Sequence, residues 1–112
     1  MAVLPGTYNI TLQRRADYSI TLQFKDSTGT PINLTGWTVA AQAWNADRTN
    51  KYADFTVTYT NRSTGTVSIA LSSTQTTSLP AEAQYDVLLT NLSGIKEYYL
   101  EGTIYVSEGY TA

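Results

Sequence analysis

Leu79-Pro80-Ala81-Glu82-Ala83-Gln84-Tyr85-Asp86-Val87 closes a polar Ser/Thr stretch and opens a run in which apolar and polar residues alternate. A leucine, a proline, and a tyrosine five residues past the proline at the start of a strand form the pattern of a tyrosine corner. In that device the ring is buried between two sheets and its hydroxyl hydrogen-bonds back to the chain just upstream. Leu79, Pro80 and Tyr85 are therefore read as structural residues. Asp86, next to an inward Tyr85, should face away from the core. The stretch predicts a two-sheet β-sandwich.

Working outward, the same period of two recurs at short intervals. Tyr8, Ile10 and Leu12 alternate with polar residues, and Tyr18, Ile20, Leu22 and Phe24 do so without a break. Strict alternation of this kind marks a half-buried strand and not a helix. A third strand starts at Trp37, which is in phase with Val39, Ala41 and Ala43, so Trp37 is expected to point inward and Trp44 to be partly exposed. Further strands carry Phe55, Val57 and Tyr59; Val67, Ile69 and Leu71; Tyr85, Val87 and Leu89; and Tyr98 to Val106. Residues 72–78 are polar and sit where one helical turn is expected between strands. Seven strands separated by Gly, Asn, Asp and Ser turns predict an all-β, immunoglobulin-like antiparallel sandwich. Residues 1–112 then form one domain, with 1–6 and 107–112 as terminal extensions.

Composition narrows the function. The 112 residues contain no cysteine and no histidine. Disulfides, thiolate metal sites and nucleophilic catalysis that relies on histidine are thereby excluded. Seven basic and nine acidic residues leave a net charge of −2, and the one adjacent basic pair is Arg14-Arg15. Phosphate neutralisation needs a basic stripe, so no nucleic-acid partner is expected. No apolar run is long enough to cross a bilayer as a helix. The first residues lack the basic and apolar regions of a signal peptide, so the chain is expected to be made and kept inside a cell, or to be released by lysis.

No catalytic residue, metal ligand or cofactor site is assigned. Asp47 with Asp54, or Glu97 with Glu101, could pair as acid and base. The second pair falls on one strand face but about 13 Å apart, so both read as solvated surface groups. Asp47, Asn50 and Asp54 offer oxygen ligands without the spacing of a calcium loop. Four Asn-x-Ser/Thr sequons, at Asn9, Asn33, Asn61 and Asn91, follow from the 28 Ser and Thr residues available to complete them. The aromatics are more informative, because nine Tyr and two Trp exceed what one small core needs. Tyr and Trp bury much area with few rotors to freeze, which suits interfaces. Trp44, Tyr52, Tyr99, Tyr105 and Tyr110 are the candidate protein-interface set; the alternatives are plain strand filling, since Tyr is a good strand former, and, behind both, carbohydrate stacking.

The segments Asp26-Ser27-Thr28-Gly29-Thr30-Pro31-Ile32-Asn33-Leu34-Thr35-Gly36-Trp37, Gly65 to Ser72, Tyr85-Asp86-Val87 and Leu100-Glu101-Gly102-Thr103-Ile104-Tyr105-Val106 carry a resemblance across nearly the whole chain. It resembles the small immunoglobulin-like virion structural proteins of tailed bacteriophages, and in particular the N-terminal domain of phage baseplate upper proteins. The resemblance implies a non-enzymatic virion protein, assembled in the host cytoplasm and bound in many symmetric copies to other tail, baseplate or capsid proteins. A tail, baseplate or fibre-adaptor position is expected ahead of capsid decoration. Strand grammar carries the likeness, and no catalytic residue comes with it.

Overall fold

A computed structural model describes residues 6–26 and 28–108. Nine strands follow one another: β1 (Gly6–Thr7), β2 (Ile10–Gln13), β3 (Tyr18–Gln23), β4 (Thr38–Trp44), β5 (Lys51–Asp54), β6 (Thr56–Asn61), β7 (Thr66–Leu71), β8 (Glu82–Thr90) and β9 (Lys96–Ser107). One sheet has the order β1-β9-β8-β4-β5, with β2 also paired to β9; the other has the order β3-β7-β6. In immunoglobulin terms, β3-β7-β6 occupy the places of strands B, E and D, and β4, β8 and β9 those of C, F and G. The expected sandwich is therefore present.

Its details depart from the sequence reading in ways that have local causes. The strand expected from Tyr8 to Leu12 is broken at Tyr8-Asn9 into β1 and β2, and both run parallel to β9, so the larger sheet is mixed. Asn9 bridges the break, its side-chain oxygen accepting from the Thr103 N–H at 3.0 Å. The segment around Phe55 is two strands because the chain changes sheets there. β5 pairs with β4, β6 pairs with β7, and buried Phe55 sits between them with its N–H on the Ala41 carbonyl. Gly6 and Ser107, assigned to terminal extensions, lie inside β1 and β9.

The core is what alternation dictates. Val39, Ala41 and Ala43 of β4 and Ala83, Tyr85, Val87 and Leu89 of β8 face Val67, Ile69 and Leu71 of β7 across the interior. Each fully buried aliphatic side chain there contributes about 1.5–3 kcal/mol. Ala43 lies opposite both Tyr85 and Ala53, and these small residues leave room for the Phe55 and Tyr85 rings, whose centroids are 6.0 Å apart. Residues 72–78 supply the expected single turn, α1 (Ser73–Thr77), closed by a capping box between Ser72 and Gln75. Leu79 is buried beneath it and Pro80 is half-buried.

Tyr85 anchors the sandwich, but not as a tyrosine corner. Its hydroxyl donates to the Tyr8 carbonyl at 2.5 Å, 77 residues away, and not to the chain just upstream. The acceptor lies there because the break between β1 and β2 presses the Tyr8 backbone against β9 at Gly102. A Cβ on Gly102 would stand 2.1 Å from the Tyr8 oxygen, so only glycine admits that approach. Trp37 packs against the core as expected, but it is not fully buried. It precedes β4 and is half-buried at the core's rim, where its carbonyl accepts from Arg62 at 2.8 Å. Arg62 also donates to the Leu34 carbonyl and lies 3.6 Å over the Tyr59 ring. The Tyr59 hydroxyl in turn accepts from the Val39 N–H.

Candidate functional site

Residues of β4, β8 and β9 that point away from the core meet in three cross-strand rows. Trp44, Gln84 and Thr103 form one row; Gln42, Asp86 and Glu101 the next; Ala40, Leu88 and Tyr98 the third. Rows two residues apart along a strand are separated by about 6.8 Å. Sheet twist and the 45–50 loop at one end turn this face into a groove of 580 Å³, also lined by Thr7 and Asn9. A cavity of that volume is in the range that holds small ligands.

The loop that closes the end is built by one residue. The Asn45 side-chain oxygen accepts from the N–H groups of Thr49 and Asn50, and its amide donates to the Thr49 hydroxyl at 2.7 Å. The turn forces Arg48 to φ 57°, the left-handed region unfavourable to a residue with a Cβ. The result is a guanidinium held 4.8 Å from the centroid of the Trp44 ring. Trp44 is further fixed by its indole N–H, which donates to the Gln42 side-chain oxygen at 2.9 Å.

In the middle row Asp86 and Glu101 stand directly opposite each other. Like charges so placed repel. Burial first, and then Glu101, push the Asp86 carboxyl above its ordinary range, while Arg48 pulls in the other direction. Among the described residues, no protein group hydrogen-bonds either carboxylate or the Arg48 guanidinium. The groove thus presents acceptors and donors that the fold itself leaves unused.

The structure brings Trp44 into this groove and separates it from the other candidate interface residues. Tyr105 is 45% exposed on the same face but one row beyond, opposite Glu82. Tyr52 is half-buried against the core. Tyr110 lies outside the described residues. Tyr99, expected to face outward, instead packs edge-on to Phe24, ring centroids 6.0 Å apart. The cause is a bulge in β9: Leu100 pairs with Val87 and Tyr98 with Leu88, so Tyr99 is the extra residue and the phase reverses there. Tyr98 is exposed in its place.

The same bulge separates Glu97 from Glu101. Glu97 pairs with buried Leu89 and Glu101 with outward Asp86, so they no longer share a face. Asp54 is bonded to Lys51 at 3.1 Å. Among the described residues, no three acidic groups gather as metal ligands. Arg14 and Arg15 both reach Glu108, and Arg14 also donates to the Leu79 carbonyl, so the basic pair ties the end of β9 to the turn before β8. The pairing of Asp86 with Glu101 was not recognised from sequence. Alternation places each of them outward, but only strand register makes them neighbours.

Residues 5–109 match a family described as an LtfC-like, β-sandwich domain. No curated protein matches the chain in sequence. Among solved structures, a candidate glycoside hydrolase from Bacteroides vulgatus is similar over 91% of this chain, at 10% identity and a TM-score of 0.52. The chain spans 17% of that protein's length, and the likeness is one of fold. A fold shared by 134 matching chains does not assign an activity.

Proposed function

The chain belongs to the LtfC-like β-sandwich domain family, a phage-related one, and from that premise we propose that it is a non-enzymatic structural module of a tailed-phage particle. Family membership is the observation that carries the proposal. In this reading the module sits at the tail, baseplate or fibre adaptor, assembles in the host cytoplasm and is present in many symmetric copies. Capsid decoration is the second reading, since the same architecture serves it equally.

Two features support attachment to a larger assembly. Leu92, Ile95, Tyr98 and Tyr105 are large apolar or aromatic side chains left exposed at the β8–β9 turn and along β9. β3, β5 and β6 each end a sheet and present backbone groups along one edge. Such edges accept an added strand from a partner.

The paired carboxylates do not argue for hydrolysis. A glycosidase places its acid and its second carboxylate on either side of the scissile bond. Asp86 and Glu101 project side by side from one sheet face, so both would lie beneath a bound molecule. The attachment proposal is tested by exchanging Leu92 and Ile95, exposed at the β8–β9 turn and outside the groove, together for serine and measuring incorporation into particles. Loss of incorporation with an unchanged unfolding midpoint is expected. Full incorporation of the folded variant would refute attachment through this turn.

A further inference from the structure

We infer that the groove on the outer face of the larger sheet binds a neutral glycan, with Trp44 as the stacking platform and Asp86 and Glu101 as acceptors for its hydroxyls. A sugar ring has one face of C–H groups and a rim of vicinal hydroxyls, so a site for it needs an aromatic plane beside close-set acceptors and donors. Trp44 stands at the closed end of the groove, its N–H on Gln42 and the Arg48 guanidinium over one face of its ring, so the stacking face is the one that Arg48 does not cover. Asp86 and Glu101 occupy adjacent strands in the next row, where neighbouring hydroxyls of one ring would reach both. The amide of Gln84, in the Trp44 row, and the Arg48 guanidinium supply donors at the same end.

The energetics point the same way. Two carboxylates directly opposite each other repel and lower stability while the groove is empty. The fold pairs neither of them with a cation by direct contact, although its three ion pairs among the described residues show that it does so elsewhere. Hydroxyl donors from a ligand would relieve that repulsion. Hydrogen bonds to charged acceptors are the stronger kind. Two carboxylates against one guanidinium disfavour a phosphate-bearing ligand. A divalent cation would find two carboxylates, with Arg48 beside them.

The inference goes beyond the particle proposal and does not depend on it. A failed titration leaves particle membership standing, and absence from particles leaves the titration standing. The test is intrinsic fluorescence and calorimetry of the full chain. The probes are trisaccharides of glucose, galactose, mannose and N-acetylglucosamine, each up to about 10 mM, where even a site with a Kd of about 10 mM is half filled. At least one should change Trp44 emission saturably, and the change should vanish in Trp44→Phe, which retains Trp37. Asp86→Asn and Glu101→Gln should each weaken binding about tenfold or more while the unfolding midpoint holds or rises. No response to any trisaccharide would overturn the inference. So would binding that survives both carboxylate exchanges, or binding of a lysine oligopeptide in place of every sugar.

Discussion

Replacing Tyr85 with phenylalanine removes one oxygen and tests how the first strand is held. The hydroxyl donates to the Tyr8 carbonyl at 2.5 Å, inside the sandwich and against Gly102. A neutral hydrogen bond contributes about 0.5–1.5 kcal/mol net, and a buried carbonyl left unpaired adds a desolvation cost within about 1–3 kcal/mol. Because the Tyr8 oxygen is pressed onto the β9 backbone, water replaces the lost donor poorly, and a total of about 2 kcal/mol is expected. For a domain of this length that lowers the melting temperature by about 8 °C. Urea unfolding should show a lower midpoint at unchanged slope.

The pH dependence makes the test sharper. Burial pushes the Tyr85 phenol well above its ordinary value, with Tyr18 and Tyr8 adding to the shift. The folded state therefore holds this proton when the unfolded state, near pH 10, begins to release it. The stability from Tyr85 is complete below about pH 10 and is lost as pH rises further, by about 1.4 kcal/mol per pH unit. Phenylalanine has no such loss, so parent and variant should converge at about pH 11.4. Equal stability at pH 7, or a gap that stays constant into alkali, would refute the reasoning.

Gly102→Ala places a Cβ 2.1 Å from the Tyr8 oxygen. It should cost about 3 kcal/mol and expose the amides of residues 6–13 to hydrogen exchange before the rest of the sheet. Arg62→Ala removes the donor to the Leu34 and Trp37 carbonyls and the cation over Tyr59. A loss of about 2 kcal/mol is expected in urea unfolding, with Arg62→Lys recovering only part of it. Asp86→Asn should raise stability at pH 7 by about 0.5 kcal/mol, the scale of an opposed like-charge pair partly screened by water. Burial and Glu101 raise the folded Asp86 value, against the pull of Arg48, so stability falls as pH rises through it. The advantage of Asn should therefore disappear in acid, which a pH series of unfolding midpoints would show.

The sandwich was legible because alternation is a local signal. Tyr18 to Phe24, Val67 to Leu71 and Tyr85 to Leu89 each announce which side is buried, and the fold obeys. Tyr85 was recognised as an anchor for the same reason, while its acceptor was not. Tyr8 reaches it only through a break in the first strand that Gly102 makes room for, a contact spanning 77 residues. The β9 bulge at Tyr99 was equally hidden. Its sequence alternates without a fault, and the extra residue exists only in relation to the pairing with β8. That one residue exchanged Tyr98 for Tyr99 on the surface and separated Glu97 from Glu101. The groove depends on register across three strands, so Trp44 was visible as an exposed aromatic but the carboxylates beside it were not.

The central claim, a structural module of a phage particle, is most directly tested by counting copies with quantitative mass spectrometry on separated heads and tails. A small number of copies on tails, in a multiple of tail symmetry, is the expected result. A count that follows the capsid lattice would move the module to the head, and its absence from both fractions would contradict the claim.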